Sequence, residues 1–277
     1  MRSYRPTPAR SATRLASRMM TDHDTHLQRA QSFGDVAEAY QQARPTYPVA
    51  AVEWALAAAP GHDVLDLAAG TGKLTRTIIA AGANVTAVEP LDGMRAQLRT
   101  AYPDVPVHAG TAEQIPLDDD SADAVLVGQA FHWFDHDAAL DEIARVLRPG
   151  GVLGLLWNIR DDSIGWVAEL TGTLVMGADV LSQVDGSDWE SVGEHERFGP
   201  VERRDFPNPT PFDADRLVAW ATSTSKLATM PPDQRAETLQ AVREFATRHP
   251  GLGEEDHFTM PFVTVTARAR LAAIRPG

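Results

Sequence analysis

The 277-residue chain predicts an α/β fold, a mostly parallel sheet covered by helices on both faces. Three observations predict it. The run Val64-Leu65-Asp66-Leu67 reads as a strand, breaks at Ala68-Ala69-Gly70-Thr71-Gly72, and passes straight into a helical pattern over residues 73–81. Strand-like and helix-like runs then alternate as far as Trp157, and the run at 122–128 is almost wholly apolar after Asp123, as a strand covered on both faces requires.

The elements follow in order. Residues 1–31 form an expected disordered arm, because residues 1–20 carry five arginines (Arg2, Arg5, Arg10, Arg14, Arg18), no acid and little apolar periodicity. An alternative start at Met19 or Met20 and a targeting segment are the other readings of that composition. From residue 32 one elaborated domain is expected. Phe33, Val36, Ala37 and Tyr40 recur at helical spacing, and Pro45 and Pro48 then force an extended or turned segment before a helix at 49–59. After the strand and turn at 64–72 come a strand at 85–88 ending in Glu89-Pro90, a helix at 91–101 offering Met94 and Leu98, and a third strand at 105–109. The loop Gly110-Thr111-Ala112-Glu113-Gln114-Ile115-Pro116 leads to the strand at 122–128. Beyond Gln129-Ala130-Phe131-His132-Trp133-Phe134, Asp135 or Asp137 caps a helix that ends at Arg148-Pro149-Gly150-Gly151. A fifth strand at 152–157 closes on Asn158. Farther on, a helix at 164–176, a loop-rich stretch at 177–200, strands at 201–206 and 257–267, and helices at 213–222 and from Pro231 onward are expected. Segments 160–200 and 207–256 read as lid or insertion elements.

Spacing narrows the ligand of the glycine turn. A Walker A loop needs glycine where Leu67 stands and Ser or Thr where Leu74 stands, so that reading fails twice. A dinucleotide fingerprint needs glycine at Thr75, which weakens an NAD(P)-dependent oxidoreductase without removing it. Glu89 stands 17 residues after Gly72, where an acid accepts both ribose hydroxyls of a bound nucleoside.

Composition bounds the partners. Lys and Arg number 25 against 38 Asp and Glu, and the net charge of -13 argues against nucleic acid or an anionic membrane surface. With no cysteine there is no disulfide, thiolate nucleophile or zinc-thiolate site. No apolar run approaches the roughly 20 residues that span a bilayer. A soluble, cytoplasmic monomer or homodimer acting on a small molecule is the expectation.

The ordered set DLAAGTG (66–72), the acid Glu89, GTAEQIP (110–116), QAFHWFD (129–135) and LRPGG (147–151) resembles class I S-adenosyl-L-methionine (SAM) methyltransferases of the ubiquinone/menaquinone-biosynthesis and trans-aconitate types. Ala68 replaces the first glycine of the motif. The resemblance implies a Rossmann-like three-layer sandwich whose seven-stranded sheet has an antiparallel last strand. It also implies that SAM binds and leaves as S-adenosyl-L-homocysteine (SAH). By the same resemblance, Asp66, Ala68, Gly70 and Gly72 line the methionine and ribose. Glu89, Pro90 and Met94 border the nucleoside; Thr111, Ala112 and Glu113 lie along the adenine; Gln129 and Ala130 face the sulfonium; and Tyr40 and the Arg44-Pro45-Thr46-Tyr47-Pro48 segment, with Arg44 and Tyr47, close over the cofactor. Phe33, Tyr47, Trp133, Trp157 and Asn158 are candidate walls of an acceptor pocket. His132 is a candidate base or orienter, although an ionised carboxylate acceptor needs no base. His132, Asp135 and His136 suggest a metal site only superficially, because Trp133 and Phe134 intervene where a helix begins. O- or C-methylation of a small molecule is the expected reaction, and a SAM-binding protein without catalysis the alternative.

Overall fold

The structure is a computed structural model that describes residues 43–174, 187–224, 227, 230–249, 252 and 257–272. The arm at 1–31 and the candidates Phe33 and Tyr40 lie outside the described residues.

Seven strands form one sheet in the order β3-β2-β1-β4-β5-β7-β6. They are β1 (Asp63–Leu67), β2 (Asn84–Val88), β3 (Val107–His108), β4 (Ala122–Gly128), β5 (Leu147–Arg160), β6 (Glu202–Asp213) and β7 (His257–Arg270). The strands β1 to β5 pair in parallel, and β7 runs antiparallel to both β5 and β6. The antiparallel last strand is therefore as the resemblance implies. Because β6 runs in the direction of β5, the carboxyl ends of β1, β2, β4, β5 and β6 share one edge of the sheet.

Helices α1 (Val49–Leu56), α2 (Lys73–Ala80), α3 (Asp92–Ala101) and α4 (His136–Val146) follow the expected periodicity. Two-residue alternation along β1 puts Leu65 and Leu67 in a core under α4, and Val64 in a separate core with α1 and α2. That alternation turns Asp66 towards α2. A third cluster joins α5 (Gly165–Thr173), α7 (Ala214–Thr222) and α8 (Pro232–Arg248) to Phe212, Met260 and Phe262.

The second half departs from expectation at three places. Helix α6 (Ser187–Glu194) interrupts the stretch expected as loop, and its Trp189 packs edge-on against Trp157 at 5.2 Å. Strand β5 starts at Leu147, through the Arg148-Pro149-Gly150-Gly151 turn. Strand β6 continues seven residues beyond Phe206, although Pro207, Pro209 and Pro211 would break a central strand. Strand geometry explains the tolerance. The Asp161 N–H donates to the Pro261 carbonyl at 2.8 Å, so the backbone of residue 261 faces β5. Its neighbour Phe262 then faces Asn208 of β6, and alternation leaves the three prolines on the outer edge, where no ladder N–H is required.

Candidate functional site

Strand β1 delivers the chain to a strained turn. Ala68, Gly70 and Gly72 have φ of 57°, 59° and 90°, and Gly72 is the N-cap of α2. A Cβ at Gly72 would meet Tyr102 Cε2 at 2.7 Å, so both conformation and space demand glycine there. Ala68 adopts the same left-handed region without that freedom, a local cost of the kind found at ligand sites.

Two acids are seated at this turn. Asp66 is 1% exposed; Thr75 Oγ1 donates to its Oδ2 at 2.5 Å, while its Oδ1 is buried without a hydrogen-bond partner. Burial pushes its carboxyl up to about 7, opposed by the Thr75 bond and reinforced by the charge of Glu89. Glu89, at the tip of β2, is 3% exposed and accepts the Gly70 N–H at 2.8 Å and the Leu91 N–H at 2.9 Å. Burial raises its pKa against those two bonds. Each Glu89 oxygen keeps a second acceptor direction, and Asp66 Oδ1 still lacks a donor. SAM offers ribose hydroxyls and an α-ammonium, so the donor and acceptor sets fit. The sequence marks Thr75 only as the residue in place of a third dinucleotide glycine; the structure makes it the hydrogen-bond partner of Asp66.

The flanks are mixed. Met94 Sδ lies 3.8 Å from where a Gly70 Cβ would stand, beside the turn, and Pro90 is exposed at its rim. Thr111 is exposed, and Ala112 is buried in the core. Glu113 Oε1 accepts the Asp135 N–H at 3.0 Å, which ties the 110–116 loop to the start of α4. Gln129 also has positive φ, 58°, and its Nε2 donates to the Asn158 carbonyl at 3.0 Å. Ala130 is half-buried beside it. The loop after β4 closes as a short 3-10 turn, Phe131–Trp133, with Trp133 39% exposed and its ring 4.7 Å from that of His132. Asp135 accepts the Ala138 N–H to cap α4, and His136 stacks on Phe131 at 4.6 Å. Among the described residues no group of three His, Cys, Asp or Glu could hold a metal ion, and no helix is long and apolar enough to cross a membrane.

Four more candidates, Trp157, Asn158 and Tyr47 from the acceptor side and Arg44 from the cofactor side, have defined packing. Trp157 is buried in the core against Trp189, because alternation along β5 turns it to the α4 face. Asn158 faces the opposite side, and its amide is engaged by the segment at 45–46. The Arg44 guanidinium donates to Ser223 Oγ at 3.0 Å and to the Ser223 carbonyl at 2.9 Å, which anchors it to the end of α7. Tyr47 is buried, with its hydroxyl 2.5 Å from where a Gly128 Cβ would lie.

Comparison with known proteins decides the family. The Methyltransferase domain family matches residues 65–155, the segment from β1 through most of β5. An uncharacterized methyltransferase of Mycobacterium tuberculosis is 43% identical over 245 residues, covering 87% of this chain and 96% of its own. The chain belongs to the class I SAM-dependent methyltransferases. A demethylmenaquinone methyltransferase from a Mycobacterium species is 45% identical over 100 residues, 36% of this chain and 43% of that one. A solved structure described as a type II methyltransferase, from Anaeromyxobacter dehalogenans, superposes with a TM-score of 0.60 at 23% identity, over 84% of this chain and 99% of the other, and shares its fold.

In this methyltransferase the carboxyl edge of the sheet also gathers cations. Lys73 opens α2; burial lowers its amine to about 8, and the charges of Arg216, Arg44 and Arg76 add to the shift. Arg160, 8% exposed at the end of β5, lies over the Trp220 ring at 5.0 Å, and Asp162 stands 3.7 Å away. Arg216, in the first turn of α7, donates to the Pro211 carbonyl at 2.7 Å and lies over Phe212, while its Nε is buried without a hydrogen-bond partner. Asp213 caps α7 by accepting the Arg216 N–H. Sequence reasoning missed Lys73, Arg160 and Arg216, since each lies in a different element and no spacing links them.

Proposed function

We propose that this methyltransferase uses SAM to methylate an oxygen of a small acidic molecule, held over the carboxyl edge of the sheet between the 129–134 loop and α7. The observation that carries the acceptor class is the cation set Lys73, Arg160 and Arg216, joined by Arg44, on that one edge of a chain whose net charge is -13. A carboxylate is the anion that suits both this cation set and the reaction.

SAM supplies a methyl group on a sulfonium, and its transfer is an in-line displacement that the protein promotes by alignment and exclusion of water. Asp66 and Glu89 would hold the donor, and Gly70, where only Met94 Sδ lies near a Cβ position, would let the backbone approach it. The cations draw and orient the acceptor carboxylate, whose oxygen already carries the attacking electron pair, so no proton has to leave. His132 then orders or orients instead of acting as a base. A second reading, C-methylation, draws on the demethylmenaquinone methyltransferase, but that likeness spans only 36% of this chain.

The test is transfer of labelled methyl from SAM to a panel of mono-, di- and tricarboxylic acids and of phenols. The expected product is an ester whose label becomes volatile in mild base. Label confined to base-stable products of phenols would overturn the acidic-acceptor reading.

A further inference from the structure

Strands β5, β6 and β7 carry a polar cluster that the methyl-transfer chemistry does not use. Asn158 is 8% exposed, and its Oδ1 accepts from Thr264 Oγ1 at 2.5 Å and from Asn208 Nδ2 at 3.0 Å. Both neighbours donate, so that end of the amide is its carbonyl, and Nδ2 must face the other way. There it donates to the carbonyls of Thr46 at 3.2 Å and Pro45 at 3.5 Å, while Asn208 Nδ2 donates to the same Thr46 oxygen at 2.8 Å. Extended backbone between Pro45 and Pro48 has no helix or ladder to use its carbonyls, and these amides supply the donors.

The segment so held crosses the carboxyl edge of the sheet. Upstream, the Arg44 carbonyl accepts from Lys73 Nζ at 2.8 Å and its guanidinium grips Ser223. Downstream, the Tyr47 carbonyl accepts from Thr77 Oγ1 of α2 at 3.3 Å, and its ring covers Gly128 at the end of β4. One strap of four residues thus touches the helix of the cofactor turn, the strand end before Gln129 and the accessory helix α7.

We propose that Asn158, Asn208 and Thr264 are positioning residues that seat the 44–47 strap over the donor site, so that the strap sets how tightly the nucleoside is retained. This rests on the reading that the 68–72 turn holds SAM. None of the three acts on the reacting atoms; they act through Tyr47 and Arg44.

Asn158→Asp is the informative variant. It keeps both donations into Oδ1 and replaces the strap-facing amide with an oxygen opposite two carbonyl oxygens. The expected result is SAH affinity at least fivefold weaker by calorimetry, with faster amide hydrogen exchange across residues 44–52. Lowering the pH until the new carboxyl protonates restores a donor, so the variant's affinity, taken as a ratio to wild type at each pH, recovers; a purely structural defect does not produce that recovery. Asn208→Ala, on a half-buried residue of β6, gives a smaller loss in the same direction and serves if Asn158→Asp folds poorly. Wild-type SAH affinity and unchanged exchange at 44–52 in both variants would overturn the assignment. If wild type itself does not bind SAH, the donor reading fails, and the exchange of residues 44–52 in the variants still decides the strap.

Discussion

The donor side and the strap side of this methyltransferase are held together over very different distances along the chain. Asp66 finds Thr75 nine residues away and Glu89 finds Gly70 nineteen away, all within one strand-turn-helix-strand unit. Arg44 reaches Ser223 across 179 residues, Asn208 reaches Thr46 across 162, and Thr264 reaches Asn158 across 106. A site made of local contacts forms as soon as its supersecondary unit folds, whereas the strap side exists only once β5, β6 and β7 have assembled. The donor side is thus local in how it forms, while the strap that sets how tightly the nucleoside is retained depends on the whole second half of the sheet.

The largest expected effect concerns Asp66. Its folded pKa of about 7 lies above the ordinary carboxylate value near 3.9, so the folded state holds this proton more tightly than the unfolded chain. The stability tied to that proton is complete below about pH 4 and is lost as pH rises to about 7. The advantage of Asp66→Asn over wild type, read by urea denaturation of the free protein, should therefore grow across that window, on the order of 3 to 4 kcal/mol at most. A difference independent of pH would show that Asp66 titrates normally. Next comes Gly72→Ala, which combines a left-handed conformation with a Cβ 2.7 Å from Tyr102; about 2 to 3 kcal/mol of lost stability is expected from the same measurement. Glu89→Ala should weaken SAH by about 1.5 to 3 kcal/mol, the range for hydrogen bonds to a charged group, while unfolding stays cooperative. Smallest is Arg216→Ala, expected to raise KM for an acidic acceptor about tenfold, roughly 1.4 kcal/mol, with little change in kcat. An effect on kcat alone would place Arg216 outside acceptor binding.

Legibility in the sequence follows the same divide. The glycine turn, Glu89, the apolar strand β4 and helices α1 to α4 were readable because periodicity and turn chemistry are local signals, and the order of motifs carried the antiparallel last strand through family resemblance. Strand β6 is expected only over residues 201–206, yet it runs to Asp213; proline argues against a strand, and only pairing with β7 shows that Pro207, Pro209 and Pro211 sit on the outward edge. Trp157 and Asn158 were both expected at a pocket, yet adjacent residues of a strand face opposite layers; one joins the core and the other grips the strap. Glu113, expected to border adenine, also ties its loop to Asp135, a contact 22 residues away that no motif spacing announces. Arg44 was expected over the cofactor, and its partner Ser223, at the end of a helix whose position depends on the whole second half, was not legible in the sequence.

The most direct test that Glu89 serves the donor and Arg216 the acceptor is calorimetric titration of SAH into wild type, Glu89→Ala and Arg216→Ala side by side. The account predicts that Glu89→Ala loses at least tenfold in affinity and that Arg216→Ala binds within twofold of wild type. An equal loss in both variants, or wild-type affinity in Glu89→Ala, would contradict it.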